Sequence, residues 1–126
     1  MVMGTSKVFK AARPDTRAVV LEPSSAPLLT QGKGGAHGIE GTGPWLIPPL
    51  LDSAPYDEIR ANPEGEAREM CRRLVKGEGI LAGTSTGLGV VAALALAEEL
   101  GPGKVVVTVA CDTGLKCMTG NLYEWD

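Results

Sequence analysis

A single histidine and three cysteines leave this 126-residue chain few routes to metal binding or to a proton relay. Any Ser/His/Asp or Cys/His triad would have to use His37, which sits in a glycine-rich loop with no nucleophile motif beside it. It reads as an exposed loop histidine. Cys111 and Cys117 do not have zinc-ligand spacing, and no second ligand cluster accompanies them. They are expected to be buried thiols in or beside a strand, with Cys111 the one to test for reactivity. An odd number of cysteines excludes a fully paired disulfide scaffold, so a reducing, cytoplasmic setting is the expectation. Positive charge is scattered and the net charge is −3, which excludes the basic stripe of a nucleic-acid surface. The longest apolar run, Leu88 to Ala97, is too short and too rich in alanine to span a bilayer. Lys7, Lys10 and Arg13 interrupt what would otherwise be a secretory leader. Neither nucleic acid nor a membrane is an expected partner.

What is present is an ordinary globular composition, 44% hydrophobic and 21% charged, in a length that suits one domain. Glycine and proline are plentiful, with 17 and 9 residues, and crowd between Pro23 and Pro63. The first half is therefore loop-rich and the second half regular.

The most informative stretch runs from Gly79 to Lys116, GILAGTSTGLGVVAALALAEELGPGKVVVTVACDTGLK. It reads as a short apolar strand, a glycine turn, a buried helix and a second strand. Ser85 or Thr86 supplies the N-cap of a helix reaching Leu100. That helix is apolar on nearly all sides up to Glu98-Glu99, which predicts burial on more than one face. Gly101-Pro102-Gly103 stops it. Val105–Val109 is β-branched throughout and suits a strand covered on both faces. The unit places Ser85 at a helix N-terminus and Cys111-Asp112-Thr113 at the end of a strand. Ligands bind at that edge of an open parallel sheet. The Gly83–Gly87 turn can hold an anion or a heteroaromatic nitrogen, or can simply cap a helix. It is not a P-loop, because the Gly-Lys-Ser/Thr ending is absent.

Upstream, Ser6–Arg13 reads as the last turns of a helix closed by Pro14. Arg17–Glu22 reads as a strand ended by Pro23. Residues 24–57 hold no period and form a long loop segment, of the kind that is usually functional. Within it Trp45, Leu46, Ile47, Leu50 and Leu51 are expected to anchor the chain, while Gly41-Thr42-Gly43 can lie against a ligand. Asn62 caps and Pro63 opens a helix whose Ala67, Met70, Cys71 and Leu74 share one face. The order predicts an α/β fold with right-handed crossovers onto a mostly parallel sheet.

Four stretches in order carry a resemblance: ARPDTRAVVLEP, GKGGAHGIEGTGPWLIPPLLD, GEGILAGTSTGLGVVAALALAEELG and VVVTVACDTGLKCMTGNLY. Together they resemble the C-terminal part of the cysteine synthase family, the fold-type II pyridoxal-phosphate enzymes. The resemblance implies a three-layer α/β fold, a mostly parallel sheet with helices on both faces, and residues 1–126 as a single partial domain. It implies pyridoxal phosphate as cofactor, with Ser85 at the pyridine nitrogen and Cys111, Asp112 and Thr113 beside the same ring edge. The family often has proline where Cys111 stands. Gly41, Thr42 and Gly43 would line the amino-acid substrate side. The implied chemistry is β-replacement of an activated serine by sulfide. The family's lysine motif, S-x-K-D, its asparagine-containing substrate loop and its glycine-rich phosphate cradle do not occur in this sequence. Lys7, Lys10, Lys33, Lys76, Lys104 and Lys116 all stand in other contexts. The chain therefore reads as the back half of an enzyme, inactive by itself, with an N-terminal complementing half or self-association expected. The alternative is a non-catalytic binding or interaction module.

Overall fold

The structure, a computed structural model, describes residues 1–43, 45–51, 55–118 and 120–124. Part of the long loop segment and of the GTGPWLIPPLLD stretch, at Pro44 and residues 52–54, lies outside them.

Helix α1, Val2–Ala12, starts earlier than the sequence suggests and ends where Arg13 turns extended, φ −142° and ψ 97°. Proline at the next position disfavours helical backbone for Arg13. Strand β1, Val19–Pro23, pairs in parallel with β2, Glu58–Asn62, in the register Val19 to Glu58 and Pro23 to Asn62. The sequence reading missed β2, because EIRAN offers only two apolar residues and charges around them. Its backbone pairs with β1, and its side chains carry charge. Arg60 reaches Glu58 at 2.5 Å and Glu99 at 2.6 Å, while Arg17 reaches Glu58 at 2.7 Å. These contacts tie β1 and β2 to the far end of helix α4, Thr84–Leu100.

Between the strands, the described residues of 24–57 include one short helix, α2, Leu28–Gln31. The Glu22 carboxylate is buried and accepts from Leu29 N at 2.7 Å, Thr30 N at 3.0 Å and Thr30 Oγ1 at 2.5 Å. Those bonds satisfy orphan donors of the first turn and compensate the buried charge. The expected apolar anchors of the loop do not anchor it. Trp45 and Leu50 are 79% and 85% exposed.

Helix α3, Glu64–Glu78, follows β2 directly, with Pro63 rather than Asn62 at the N-cap, because Asn62 is still in the ladder. Gly79 ends it in the left-handed conformation, φ 67°. α3 and α4 pack closely, and Gly87 is what lets them. A Cβ there would lie 2.1 Å from the Ala67 carbonyl oxygen and 2.6 Å from Cys71 Sγ. One core cluster joins Ile39, Ala67 and Leu88, with Leu21 of β1 packed on it. A second joins Cys71, Leu122 and Tyr123. Burial pushes the Cys71 thiol up and the Tyr123 hydroxyl to about 12.

Two strand expectations are corrected. The Gly79–Ala82 segment contributes a single bridge, Ala82 to Thr113, and that bridge is antiparallel. Val105–Val109 is not a strand. It has no ladder neighbour, and Val105 and Val107 are 87% and 75% exposed. β-branched residues favour a strand through packing against neighbours, and here those neighbours are missing. For the same reason α4 is buried only along its first half, and Leu94 is 47% exposed.

The α1 contact with the loop gives one pH prediction. Lys10 Nζ lies 2.7 Å from both Asp57 oxygens and holds the Asp57 carboxyl below its usual value, with the Ala18 N–H as second cause. A depressed folded-state value stabilises above the unfolded one of 3.8 and is lost as pH falls through the folded one. Lys10→Ala is expected to move the Asp57 midpoint upward in a carboxyl-carbon NMR titration, with a residual depression from Ala18. An unmoved midpoint would show that the pair is screened out by solvent.

Candidate functional site

The N-terminus of α4 has no cap from its own sequence. Gly83, not Ser85 or Thr86, is the N-cap residue, with φ −86° and ψ 176°, and it carries no side chain to accept the free N–H groups. Asp112 instead ties the turn down from across the fold, through the Gly83 N–H and two hydroxyls. Its Oδ1 accepts from Gly83 N at 3.2 Å and from Thr86 Oγ1 at 2.5 Å, and its Oδ2 accepts from Ser85 Oγ at 2.8 Å. The approach is close enough that a Cβ on Gly83 would meet Asp112 Oδ2 at 2.1 Å. A carboxylate at a helix N-terminus is also favoured by the helix dipole.

Cys111 stands beside this corner, its Sγ 3.3 Å from Ser85 Oγ. Contrary to expectation it is exposed, and Cys117 is half-buried, because the segment leading to Cys111 lacks strand neighbours. Thr113 reverses the chain through its bridge to Ala82 and accepts from Leu115 N at 3.3 Å. Gly114 N then donates to Leu81 O at 3.1 Å.

The Gly41-Thr42-Gly43 loop reaches the same place from the other side. Thr84 Oγ1 accepts from Glu40 N at 3.1 Å, which docks the loop on α4. Thr42 Oγ1 donates to Ile39 O at 3.2 Å. His37 is not a free loop histidine. Its Nε2 lies 3.1 Å from Gly43 O, and its Nδ1 accepts from Ile39 N at 3.2 Å, so it staples the turn.

A cavity of about 860 Å³ opens between these walls. Ser85, Cys111, Asp112 and Thr113 line one side and Gly41, Thr42 and Gly43 another. The volume falls in the range of small-ligand sites, about 300–1,000 Å³. Sequence reasoning missed Thr84 and Glu40, which dock the loop on α4, and offered Thr86 only as an N-cap, whereas its hydroxyl donates to Asp112. Thr84 and Glu40 meet only in three dimensions. Lys116 also lines the cavity, from the exposed turn Gly114–Cys117. Among the described residues no cluster of His, Cys, Asp or Glu could hold a metal ion, and no helix is long and apolar enough to cross a membrane.

Comparison with known proteins identifies the family. The family described as pyridoxal-phosphate dependent enzyme matches residues 1–112, ending on Asp112 itself. The chain belongs to that family. A probable cysteine synthase of Bacillus subtilis (strain 168) is 40% identical over 124 residues, covering 98% of this chain and 40% of the relative. A cysteine synthase of Staphylococcus aureus (strain Mu50 / ATCC 700699) is 42% identical over 123 residues, with the same coverage. The crystal structure of O-ureido-L-serine synthase superposes with a TM-score of 0.91 at 38% identity, covering 95% of this chain and 38% of that one. The chain therefore has the fold of the C-terminal part of these enzymes and spans about two fifths of their length.

The family's cofactor is pyridoxal phosphate, and the residues present fit one end of it. A pyridine nitrogen calls for one hydrogen-bonding group at the bottom of a cleft, and Ser85 Oγ faces the cavity from a helix N-terminus. In this arrangement Asp112 takes the Ser85 hydrogen, so donating it to an unprotonated pyridine nitrogen requires the hydroxyl to rotate away from Asp112.

Proposed function

We propose that this chain is the C-terminal part of a pyridoxal-phosphate-dependent cysteine synthase, catalysing β-replacement of an activated serine by sulfide once an N-terminal half completes it. The observation that carries this reading is the Ser85–Asp112 corner facing the Gly41-Thr42-Gly43 loop across one cavity. Pyridoxal phosphate, when bound, supplies the electron sink for elimination and addition at the substrate β-carbon.

The chain's own contribution is position. Ser85 would hold the ring nitrogen through a neutral hydroxyl, which does not enforce ring protonation as a carboxylate would. To do so Ser85 would turn its hydrogen from Asp112 to the ring nitrogen, while Asp112 keeps Gly83 N and Thr86 Oγ1 as partners. Cys111 and Thr113 would bound the same ring edge. Gly41, Thr42 and Gly43 would bring backbone against an amino-acid substrate, held in shape by His37 and by Thr84.

Alone, the chain would not catalyse. None of its lysines stands in an S-x-K-D motif, and the one that lines the cavity, Lys116, sits on an exposed turn. The exposed valines of residues 105–109 favour self-association when no complementing chain is present. The test is turnover of O-acetylserine and sulfide by the lone chain, with borohydride reduction after adding pyridoxal phosphate and peptide mapping. The expected outcome is no turnover and no single stoichiometrically labelled lysine. Turnover with one uniquely labelled lysine would overturn the proposal that a second half is required.

A further inference from the structure

The two hydrogen bonds of His37 fix where its proton sits. The Ile39 N–H can only donate, so Nδ1, 3.2 Å away, must be bare. Gly43 O can only accept, so Nε2, 3.1 Å away, must hold the hydrogen. The staple across this turn therefore exists in one tautomer of the neutral ring and in no other protonation state. Imidazole is also the side chain that gains a proton near neutral pH.

The Ile39 end of the staple is held in place. Ile39 is 1% exposed and belongs to the core cluster with Ala67 and Leu88. The next residue, Glu40, is docked through its N–H on Thr84 Oγ1. At the other end the ring lies directly on backbone. A Cβ on Gly43 would be 2.6 Å from Nε2, and Gly43 holds a left-handed φ of 55°. A proton on Nδ1 would set two donors against each other across the 3.2 Å contact with Ile39 N. Ile39 is fixed in the core, so the ring is the partner that moves, and it either carries Gly43 with it or releases it. Gly43 lines the large cavity together with Gly41 and Thr42, whereas His37 stands behind them.

The elements that touch this loop are β1, α3 and α4, through Pro23, Glu64 and Thr84. Their charged groups nearby are Glu22 of β1 and Glu64 and Glu66 of α3, with Lys33 and Glu40 in the loop itself. Glu22 is taken up by Leu29 and Thr30, and Glu64 accepts from Gly38 N at 2.8 Å. α4 carries no charge before Glu98.

We infer that His37 is a proton-released latch on the cavity wall. As the neutral ring it positions Gly41, Thr42 and Gly43, and protonation at Nδ1 lets that wall go. It is a positioning residue that acts through Gly43. The consequence for turnover rests on the reading that this wall faces the amino-acid substrate.

The test is a pH titration of the 15N-labelled full chain by NMR. His37 is the only histidine, so its ring nitrogens are identified without assignment. Above the ring's midpoint a long-range 1H–15N spectrum is expected to show hydrogen on Nε2 alone. As the ring gains its second proton, the protection factor of the Ile39 amide should fall about 2- to 12-fold, the equivalent of one hydrogen bond. The Gly43 amide should shift with the same midpoint. His37→Asn keeps an oxygen able to accept from the N–H two residues on, and it does not titrate. There the Ile39 protection should stay level over the same range. Hydrogen on Nδ1 in the neutral ring would overturn the inference, as would Ile39 protection unchanged through the ring's titration. A pH dependence that persists in His37→Asn would also overturn it, and would pass the effect to Glu22, Glu40, Glu64 or Glu66. In the mixture with an N-terminal half, KM for O-acetylserine should rise through the same titration in the parent and not in His37→Asn. A level KM beside a titrating staple would count against the substrate-side reading of the loop alone.

Discussion

Gly87→Ala is expected to lower the thermal midpoint of the chain by about 10 °C or more. The new methyl would lie 2.1 Å from the backbone oxygen of Ala67, and backbone cannot rotate away as a side-chain tip can. Ala67 and Cys71 are both fully buried, so α3 and α4 must separate along their contact. Overpacking of this kind costs about 1–3 kcal/mol, and more where backbone is displaced. At roughly 3–6 °C per kcal/mol for a chain of this size, that range spans about 3–18 °C, and the displaced backbone puts Gly87→Ala in its upper half. Gly77→Ala is the control, because nothing lies within 4 Å of its new Cβ and the residue is inside α3. There the helix propensity of alanine should raise the midpoint slightly, by up to about 1 kcal/mol. Circular-dichroism melts of both variants decide it. Equal midpoints would mean that the two helices have slack between them.

Asp112→Ala carries the second large effect, because one carboxylate serves three donors. Its removal leaves the Gly83 N–H and the buried Thr86 hydroxyl without their acceptor and frees the Ser85 rotor. Charge-assisted hydrogen bonds contribute about 1.5–3 kcal/mol and neutral ones about 0.5–1.5. A combined loss of roughly 2–4 kcal/mol is expected in urea unfolding of the chain. Asp112→Asn keeps an acceptor oxygen and should recover about half. Ser85→Ala alone should cost less than Asp112→Ala, since Thr86 and Gly83 keep their partner. An Asp112→Ala variant that unfolds with the parent would remove Asp112 from the cap of α4.

The regular half of the molecule was legible where one segment determined its own state. α4 could be read because a run of apolar and small side chains, broken only by Glu98-Glu99, ends in Gly101-Pro102-Gly103. The face of α3 could be read from Ala67, Met70 and Cys71, all buried. What needs a partner could not. β2 is held by its ladder to β1 and carries the Arg60 pairs with Glu58 and Glu99, which no periodicity announces. Val105–Val109 has the composition of a central strand and no ladder, because composition says what a segment could pair with and not whether a neighbour is there. The site divides the same way. Ser85 and Asp112 stand out as polar residues at a helix start and a strand end, and the structure puts them 2.8 Å apart. That Asp112 caps α4, with Gly83 as the N-cap residue, follows from the missing Cβ at Gly83 and from the turn at Thr113, neither of which local pattern reveals.

The most direct measurement is an equilibrium fluorescence titration of pyridoxal phosphate against three samples: this chain, a chain bearing the family's lysine motif and phosphate cradle, and their mixture. Ser85→Ala is titrated in parallel. Tight binding is expected in the mixture only, weakened about 2- to 12-fold by Ser85→Ala, the equivalent of one hydrogen bond of about 0.5–1.5 kcal/mol. A mixture in which Ser85→Ala binds the cofactor as tightly as the parent would contradict the assignment of the Ser85–Asp112 corner to the cofactor ring.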